Sequence, residues 1–470
     1  MLDLTNLTQY RENNRIEAKK ALGGLPRSIW ETYSAFANTL GGVILLGVEE
    51  LKDHSFRAVN LPDPERLVRE FWELINDSKK VNVNILSDRH VQIETVDGCR
   101  IIVITVSKAS RYDKPVYIDG NPGTGTYRRN GEGDYRCTKE EIEGMQRDAS
   151  IQTQDMKVLK QLSPDALNLE TLRRYRIRMK NHRPTHAWLT LDHMDFLHRL
   201  GAVARCADGK FHPTAAGLLM FGYETEIVKE FPSYFLDYQE FSGPDDRISD
   251  RLISSSGKWS GNLYDFYTQV IQKLTRNVNG FIHQALHEAL ANSLIHADYY
   301  GKQGIVIVKQ KECITISNPG AFRIDIEAAK SGGFSDPRNA ALTKMFHLVH
   351  IGTGSGSGIS TIYTLWNKHG WNPPTIHEHF EPDRTHFSLS IEKAAENHLA
   401  IRTDHSRTPL LKRQLIIDYL TVHTNAGTAE IAEYLGLKPT QTRKYLHELL
   451  KEGILDADIC AGRNIYRLKY

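Results

Sequence analysis

The chain has 470 residues, of which 40% are apolar and 25% charged; this globular composition excludes wholesale disorder and leaves room for about three domains. Lys plus Arg number 59 and Asp plus Glu 57, a net charge of +2, which excludes nucleic-acid binding by bulk charge and leaves only local basic patches. Apolar runs such as 43–48 and 101–106 are far short of the ~18 residues of a membrane span. Met1-Leu-Asp-Leu4 does not open a signal sequence. Cys99, Cys137, Cys206, Cys313 and Cys460 are scattered without Cys-x-x-Cys spacing, so neither a disulfide framework nor a zinc site is expected. A cytoplasmic protein with no membrane association is the expectation.

Residues 1–150 form the first expected domain. In the opening run Tyr10-Arg-Glu12-Asn-Asn-Arg15-Ile-Glu17-Ala-Lys19, an extended backbone turns Arg15, Glu17 and Lys19 to one side, the pattern of a solvated charged edge. Residues 26–40 carry Ile29, Tyr33, Phe36, Ala37 and Leu40 at helical spacing behind Pro26, and Gly41-Gly42 stops the helix. A short buried strand follows at 43–48, with further strands at 91–95 and 101–106. A turn-rich loop at 120–126 and a helix near 139–147 complete the segment.

Within it, Phe36-Ala-Asn-Thr39-Leu-Gly41-Gly42, Gly47-Val-Glu49-Glu50 and Gly125-Thr-Tyr127-Arg128-Arg129 strongly resemble the Schlafen AlbA_2 domain over residues 5–148. The resemblance implies a nucleic-acid-binding fold with Arg128 and Arg129 among the contacts, and some members cleave RNA with three acidic residues. Glu12 and Glu17 match the first two by spacing, and Glu50, or its neighbour Glu49, is the candidate third. Three carboxylates can hold divalent metals that activate water against a phosphodiester. The alternative, which is preferred, is a binding-only domain in which Arg15, Lys19 and Lys20 neutralise the carboxylates.

Residues 151–278 read as a linking region. Helical patterns at 172–180, 192–200 and 214–221, with Gly201 and Gly209 between the last two, fit either a small helix–helix–wing unit or connective packing.

Residues 279–393 carry the sharpest constellation, His287-Glu288-Ala-Leu-Ala-Asn292-Ser-Leu-Ile-His296. Leu286, Leu290 and Leu294 mark an amphipathic helix, and Glu288 and Asn292 stack one turn apart on it. An amide oxygen suits a magnesium ion held by phosphates, and a carboxylate one turn earlier suits a water attacking a γ-phosphate. Downstream, Ile314-Thr-Ile-Ser-Asn318-Pro-Gly320 ends a strand in a turn that brings backbone close to anything flat above it. Gly352-Thr-Gly354-Ser-Gly356-Ser-Gly358 then opens a helix, and glycine N–H groups at a helix N-terminus make an anion cradle.

This order resembles the GHKL ATPases, the superfamily of gyrase-type topoisomerases, Hsp90 chaperones and histidine kinases. It is similar above all to the ATP-binding C-terminal region of the RecG-like divergent AAA-4 transcriptional regulators, whose segment between turn and glycine loop Ser335-Asp-Pro-Arg-Asn339 also resembles. The resemblance implies a Bergerat-type α/β sandwich that binds ATP and Mg2+. Glu288 would be the water-activating base, Asn292 the magnesium ligand, and Gly352, Gly354, Gly356 and Gly358 the wrapping of the triphosphate. Gly320 would lie under the adenine beside Asn318, where the superfamily has an Asp. No Gly-x-x-x-x-Gly-Lys-Ser/Thr loop appears, which disfavours helicase activity.

After a polar linker at 394–409, residues 410–470 read as helices at 414–420, 428–436 and 440–453 followed by a hairpin around Arg463. The arrangement is similar to a winged helix-turn-helix, whose third helix enters the major groove. Thr440, Gln441, Arg443 and Lys444 on that helix and Arg463 on the wing would be the DNA contacts.

The expected protein is thus an α+β multidomain regulator, a homo-oligomer of two or more copies, in which ATP state sets affinity for DNA or RNA. The alternative is a Schlafen-type metal-dependent nuclease acting in RNA cleavage or anti-phage defence and gated by ATP; a third reading is a non-catalytic scaffold. Whether ATP is hydrolysed is left open.

Overall fold

A computed structural model describes residues 13, 15–241, 247–276, 282–352, 356–380 and 382–391, and further on 413, 416, 420, 426–434, 439–451, 454–460 and 463–468. The chain divides into two units, Met1–Ala394 and Ala395–Tyr470. Among the described residues no helix is long and apolar enough to cross a membrane.

The first part of unit one contains β1 (Ile16–Lys19), α1 (Ile29–Asn38), β2 (Gly42–Leu46), β3 (Val48–Glu50), β4 (Phe56–Ala58), α2 (Pro64–Ile75), β5 (Val91–Val96), β6 (Cys99–Val106), β7 (Tyr127–Asn130), β8 (Gly133–Arg136) and α3 (Lys139–Ala149). A four-stranded sheet runs β1-β2-β6-β5, with β1 parallel to β2 and the other pairs antiparallel. The strand expected at 43–48 ends at Leu46, because Gly47 turns the backbone at φ +85° and β3 starts beyond it. Helix α1 is buried except at Glu31, which makes it the central post of this domain rather than an amphipathic surface helix.

The Phe-Ala-Asn-Thr-x-Gly-Gly run explains that burial. Asn38 donates to the Val116 and Tyr127 carbonyls at 2.8 and 3.0 Å and accepts from the Val116 N–H at 2.9 Å. Ser34 donates to the Val116 carbonyl and accepts from the Tyr127 N–H. A β-carbon at Gly42 would lie 2.7 Å from the Phe36 ring. The motif therefore stitches a loop and β7 to the helix, and its polar members are spent on backbone.

The second part of unit one holds α4 (Leu169–His182), α5 (His193–Leu200), β9 (Val203–Arg205), β10 (Phe211–Pro213), α6 (Ala215–Phe221), α7 (Glu224–Glu230), β11 (Leu236–Phe241), β12 (Ile248–Ile253) and α8 (Leu263–Thr275). It continues with α9 (His283–His296), β13 (Ile305–Lys309), β14 (Cys313–Pro319), α10 (Ile326–Ser331), α11 (Ala340–Leu348), α12 (Gly358–Lys368), β15 (Thr375–His379) and β16 (Arg384–Ser390). A six-stranded sheet is ordered β12-β11-β13-β14-β16-β15, with β11 parallel to β13 in the register Leu236 opposite Ile305. One hydrophobic core includes residues from Leu159 to Leu389. Tyr175 on α4 donates to the Met345 carbonyl on α11 at 2.6 Å, and Asp265 on α8 accepts from Thr171 and Arg174 on α4. The boundary expected at 278 therefore cuts through one core and one sheet: residues 151–278 supply two strands and the packing helices, not a linker.

In unit two, β17 (Ala426–Gly427), α13 (Thr428–Tyr434), α14 (Pro439–Lys451), β18 (Leu455–Cys460) and β19 (Arg463–Leu468) form two helices beside a sheet ordered β17-β19-β18. Ile416, Leu420, Ile431, Leu446, Leu449 and Tyr466 make its core. The linker expected at 394–409 and most of the helix expected at 414–420 lie outside the described residues.

Replacing Asn38 by Ala should lower the unfolding free energy by about 2–4 kcal/mol, because one buried N–H and two carbonyls lose their partner together. Denaturant unfolding of the intact chain measures this, and a loss under about 1 kcal/mol would mean that solvent or neighbouring groups take over those bonds.

Candidate functional site

Glu288 and Asn292 lie one turn apart on α9, Glu288 buried and Asn292 partly so. Their face packs on the first residue of α12. A β-carbon at Gly358 would collide with the Glu288 carboxylate and sit 2.8 Å from Asn292 Nδ2. Only glycine lets the helix start approach this closely, so an acid, an amide and a helix N-terminus meet at one point. Gly352 and Gly356 both hold left-handed backbone, at φ +75° and +71°, and a β-carbon at Gly356 would lie 2.7 Å from the Phe334 carbonyl oxygen. Gly354 lies outside the described residues.

At the opposite wall β14 ends in Asn318, Pro319 and Gly320, the last at φ +97°. Thr385 on β16 donates to the Gly320 carbonyl at 2.8 Å, and Asn318 is buried beside it. Between the two walls lies a solvent-open cavity with Ile316, Phe322, Phe334, Ile359, Ile376 and Phe387 on its apolar sides. It is apolar along its walls and polar at both ends, as small-molecule sites generally are.

Arg338 closes this cavity beside Gly320. Its guanidinium donates to the His296 carbonyl at 3.0 Å and the Ala321 carbonyl at 2.8 Å, and pairs with Asp148 at the end of α3. Asn339 donates to the Ile295 and Ala297 carbonyls. The Ser335–Asn339 segment thus caps the exposed carbonyls at the C-terminus of α9, where positive charge is favoured. Burial, reinforced by the Arg338 and Arg323 charges, pulls the His296 imidazole down to about 4 and keeps it neutral. Burial alone would raise the Asp148 carboxyl, but Arg338 and then Arg323 outweigh it and hold it below the usual range. Sequence reasoning marked this segment without assigning it a job, and it missed Thr385, which no local pattern distinguishes.

The N-terminal carboxylates are placed differently from a solvated edge. Glu17 is buried, 2.5 Å from Lys19 and 2.8 Å from Arg129. Glu50 pairs with His54 at 2.7 Å, and Glu49 with Lys20 and Arg57, which together hold the Glu49 carboxyl below its usual value. Glu12 lies outside the described residues, and among the described residues no three His, Cys, Asp or Glu gather as a metal site would need.

Arg128 and Arg129 differ most from expectation. As neighbours on β7 they face opposite ways. Arg128 makes a two-pronged pair with Asp383 at 2.6 and 2.8 Å, and Arg129 pairs with Glu17 and Asp134. Both are buried, so neither presents its charge to a nucleic acid in this structure. In unit two, Gln441, Arg443 and Lys444 are exposed on α14, while for Thr440 and Arg463 only the backbone is described.

Four family models match the chain: "Schlafen, AlbA_2" over residues 12–138, a domain of unknown function (DUF8451) over 143–237, "Putative ATP-dependent DNA helicase recG C-terminal" over 303–387, and "FaeA-like protein" over 412–458. No curated protein matches. Among solved structures, the DIP2311 protein from Corynebacterium diphtheriae is 18% identical with a TM-score of 0.41, the match covering 97% of this chain and 80% of that one. The N-terminal domain of a RecG-related protein from Nitrosomonas europaea is 34% identical with a TM-score of 0.23, covering 29% of this chain and 95% of that one. The chain is a mixed α/β multidomain protein that carries a Schlafen AlbA_2 domain and an ATPase-like domain.

Proposed function

We infer that the chain is an ATP-binding regulator acting on nucleic acid, with a GHKL-type nucleotide site and a C-terminal winged helix. The observation that carries this reading is the meeting of Glu288, Asn292 and Gly358 at the start of α12. The triphosphate would lie along the Gly352–Gly358 loop, where backbone N–H groups and the helix N-terminus favour anions. Adenine would lie over Gly320, with the Asn318 amide in reach of its polar edge. Asn292 would offer its amide oxygen to magnesium, which when bound neutralises charge on the phosphate oxygens. Glu288 would take a proton from a water attacking the γ-phosphorus, while the bond to the bridging oxygen breaks and ADP leaves.

Regulation follows from Arg338, which borders the nucleotide cavity and pairs with Asp148 on α3, the helix directly after the stretch matched to AlbA_2. A ligand that moves Arg338 biases that pair, and so the arrangement of the surfaces that meet nucleic acid. The ion pairs that hold Glu17 and Glu50 support a binding role for the AlbA_2 domain over cleavage. Gln441, Arg443 and Lys444 on α14 are the side chains we assign to DNA.

Asn292→Ala should abolish magnesium-dependent ATP binding by calorimetry, and Glu288→Gln should keep binding and lose hydrolysis; unchanged affinity in the Asn292 variant would remove the pair from the site. Gly358→Ala should weaken ATP by about tenfold or more, since the added carbon displaces both side chains.

Changing Arg443 and Lys444 to Glu should weaken duplex-DNA binding and flatten its salt dependence by about one unit of slope for each phosphate no longer neutralised. Titrations at several salt concentrations read this, and an unaltered slope would make unit two a protein-interaction module.

A further inference from the structure

A second cavity lies where the AlbA_2 domain meets the ATPase-like domain. The segment from Gly320 to Arg323 and the Arg338 side chain border it on one side and the nucleotide cavity on the other. Its cations include Lys108, Lys114, Arg128, Arg323 and Arg338. Most are answered from within the chain: Lys108 by Glu378, Arg128 by Asp383, and Arg323 and Arg338 by Asp148.

Lys114 is the exception. Its ammonium donates to the Asn38 carbonyl at 2.7 Å, and among the described residues no carboxylate lies within ion-pair distance of it. An ammonium has three donors and seeks acceptors for all of them. Two residues that line the same cavity, Arg128 and Arg323, each keep a buried Nε–H that is unmet. A buried guanidinium N–H without an acceptor is costly and rare in folded proteins. Burial, with repulsion from Lys108 and Arg128, pulls the Lys114 ammonium down to about 7, and a bound anion would reverse that.

We propose that this cavity binds one phosphate group, with Lys114 as its central ligand and the Nε–H groups of Arg128 and Arg323 as supporting donors. A tetrahedral dianion supplies acceptors in several directions at once, which a single carboxylate cannot do as fully. The group can arrive as free phosphate or as the 5′-phosphate of a nucleic-acid strand, since both present the same oxygens. Either way the site lies behind the adenine wall and is separate from the triphosphate cradle.

Inorganic phosphate titrated calorimetrically into the full chain without nucleotide tests this. Lys114→Met should weaken phosphate about tenfold or more, as loss of a buried charge-assisted bond requires, while ATP affinity stays unchanged and certifies the fold. Lys114→Arg keeps the charge and should stay within about threefold of the parent. Gly358→Ala, which damages the nucleotide cradle, should leave phosphate binding intact, so failure of the ATP reading and failure of this one give different results. A 5′-phosphorylated oligonucleotide that outcompetes its 5′-hydroxyl twin, with the advantage lost in Lys114→Met, assigns the site to strand ends; equal binding of the two assigns it to free phosphate. Phosphate affinity unchanged in Lys114→Met, or lost in Gly358→Ala, overturns the proposal.

Discussion

The Arg338 guanidinium donates to the carbonyl ending α9, to the carbonyl after Gly320 and to the carboxylate of Asp148. Each of those three groups belongs to a different part: the helix bearing Glu288 and Asn292, the turn at the cavity wall, and helix α3, which directly follows the stretch matched to AlbA_2. A planar cation with a fixed fork of donors can satisfy them only in one relative placement. Because all the groups are at least partly buried, misplacement strands charge out of water, which is far more costly than any gain from the pair itself. The placement of these parts within unit one is therefore specified by charge geometry, which the pairs of Arg128 with Asp383 and Lys108 with Glu378 extend.

That distribution also accounts for the composition. The near-balance of 59 basic and 57 acidic residues does not describe an evenly mixed surface. Arg111, Arg128, Arg129, Arg323 and Arg338 each face a carboxylate inside unit one. These five arginines are spent inside unit one, whereas Arg443 and Lys444 on α14 are exposed.

The parts of this architecture legible in the sequence are those coded within a few turns of chain. Helical spacing located α1 and α9, the glycine pair closed α1, and the Gly-rich run opened α12. The stacking of Glu288 on Asn292 follows from helical geometry alone. What could not be read depends on partners far away in sequence. Arg128 finds Asp383 across 255 positions, and nothing near Arg128 announces that acid. For the same reason Tyr-Arg-Arg at 127–129 reads as a basic patch although Arg129 pairs with Glu17 and Asp134 and the two terminal nitrogens of Arg128 with Asp383. Glu17 reads as a surface charge for want of any local hint of Arg129, and the parallel pairing of β11 with β13 hides the membership of residues 236–253 in the second sheet.

The matched stretch at 143–237 ends inside β11, and the matched stretch at 303–387 begins after α9. The first stretch carries only the start of β11, and the second carries β13 to β16 without β11, β12, Glu288 or Asn292. A unit that keeps Glu288, Asn292 and the whole six-stranded sheet needs both stretches and the interval between them, since one hydrophobic core runs from Leu159 to Leu389. The sheet therefore draws on more of the chain than either matched stretch covers.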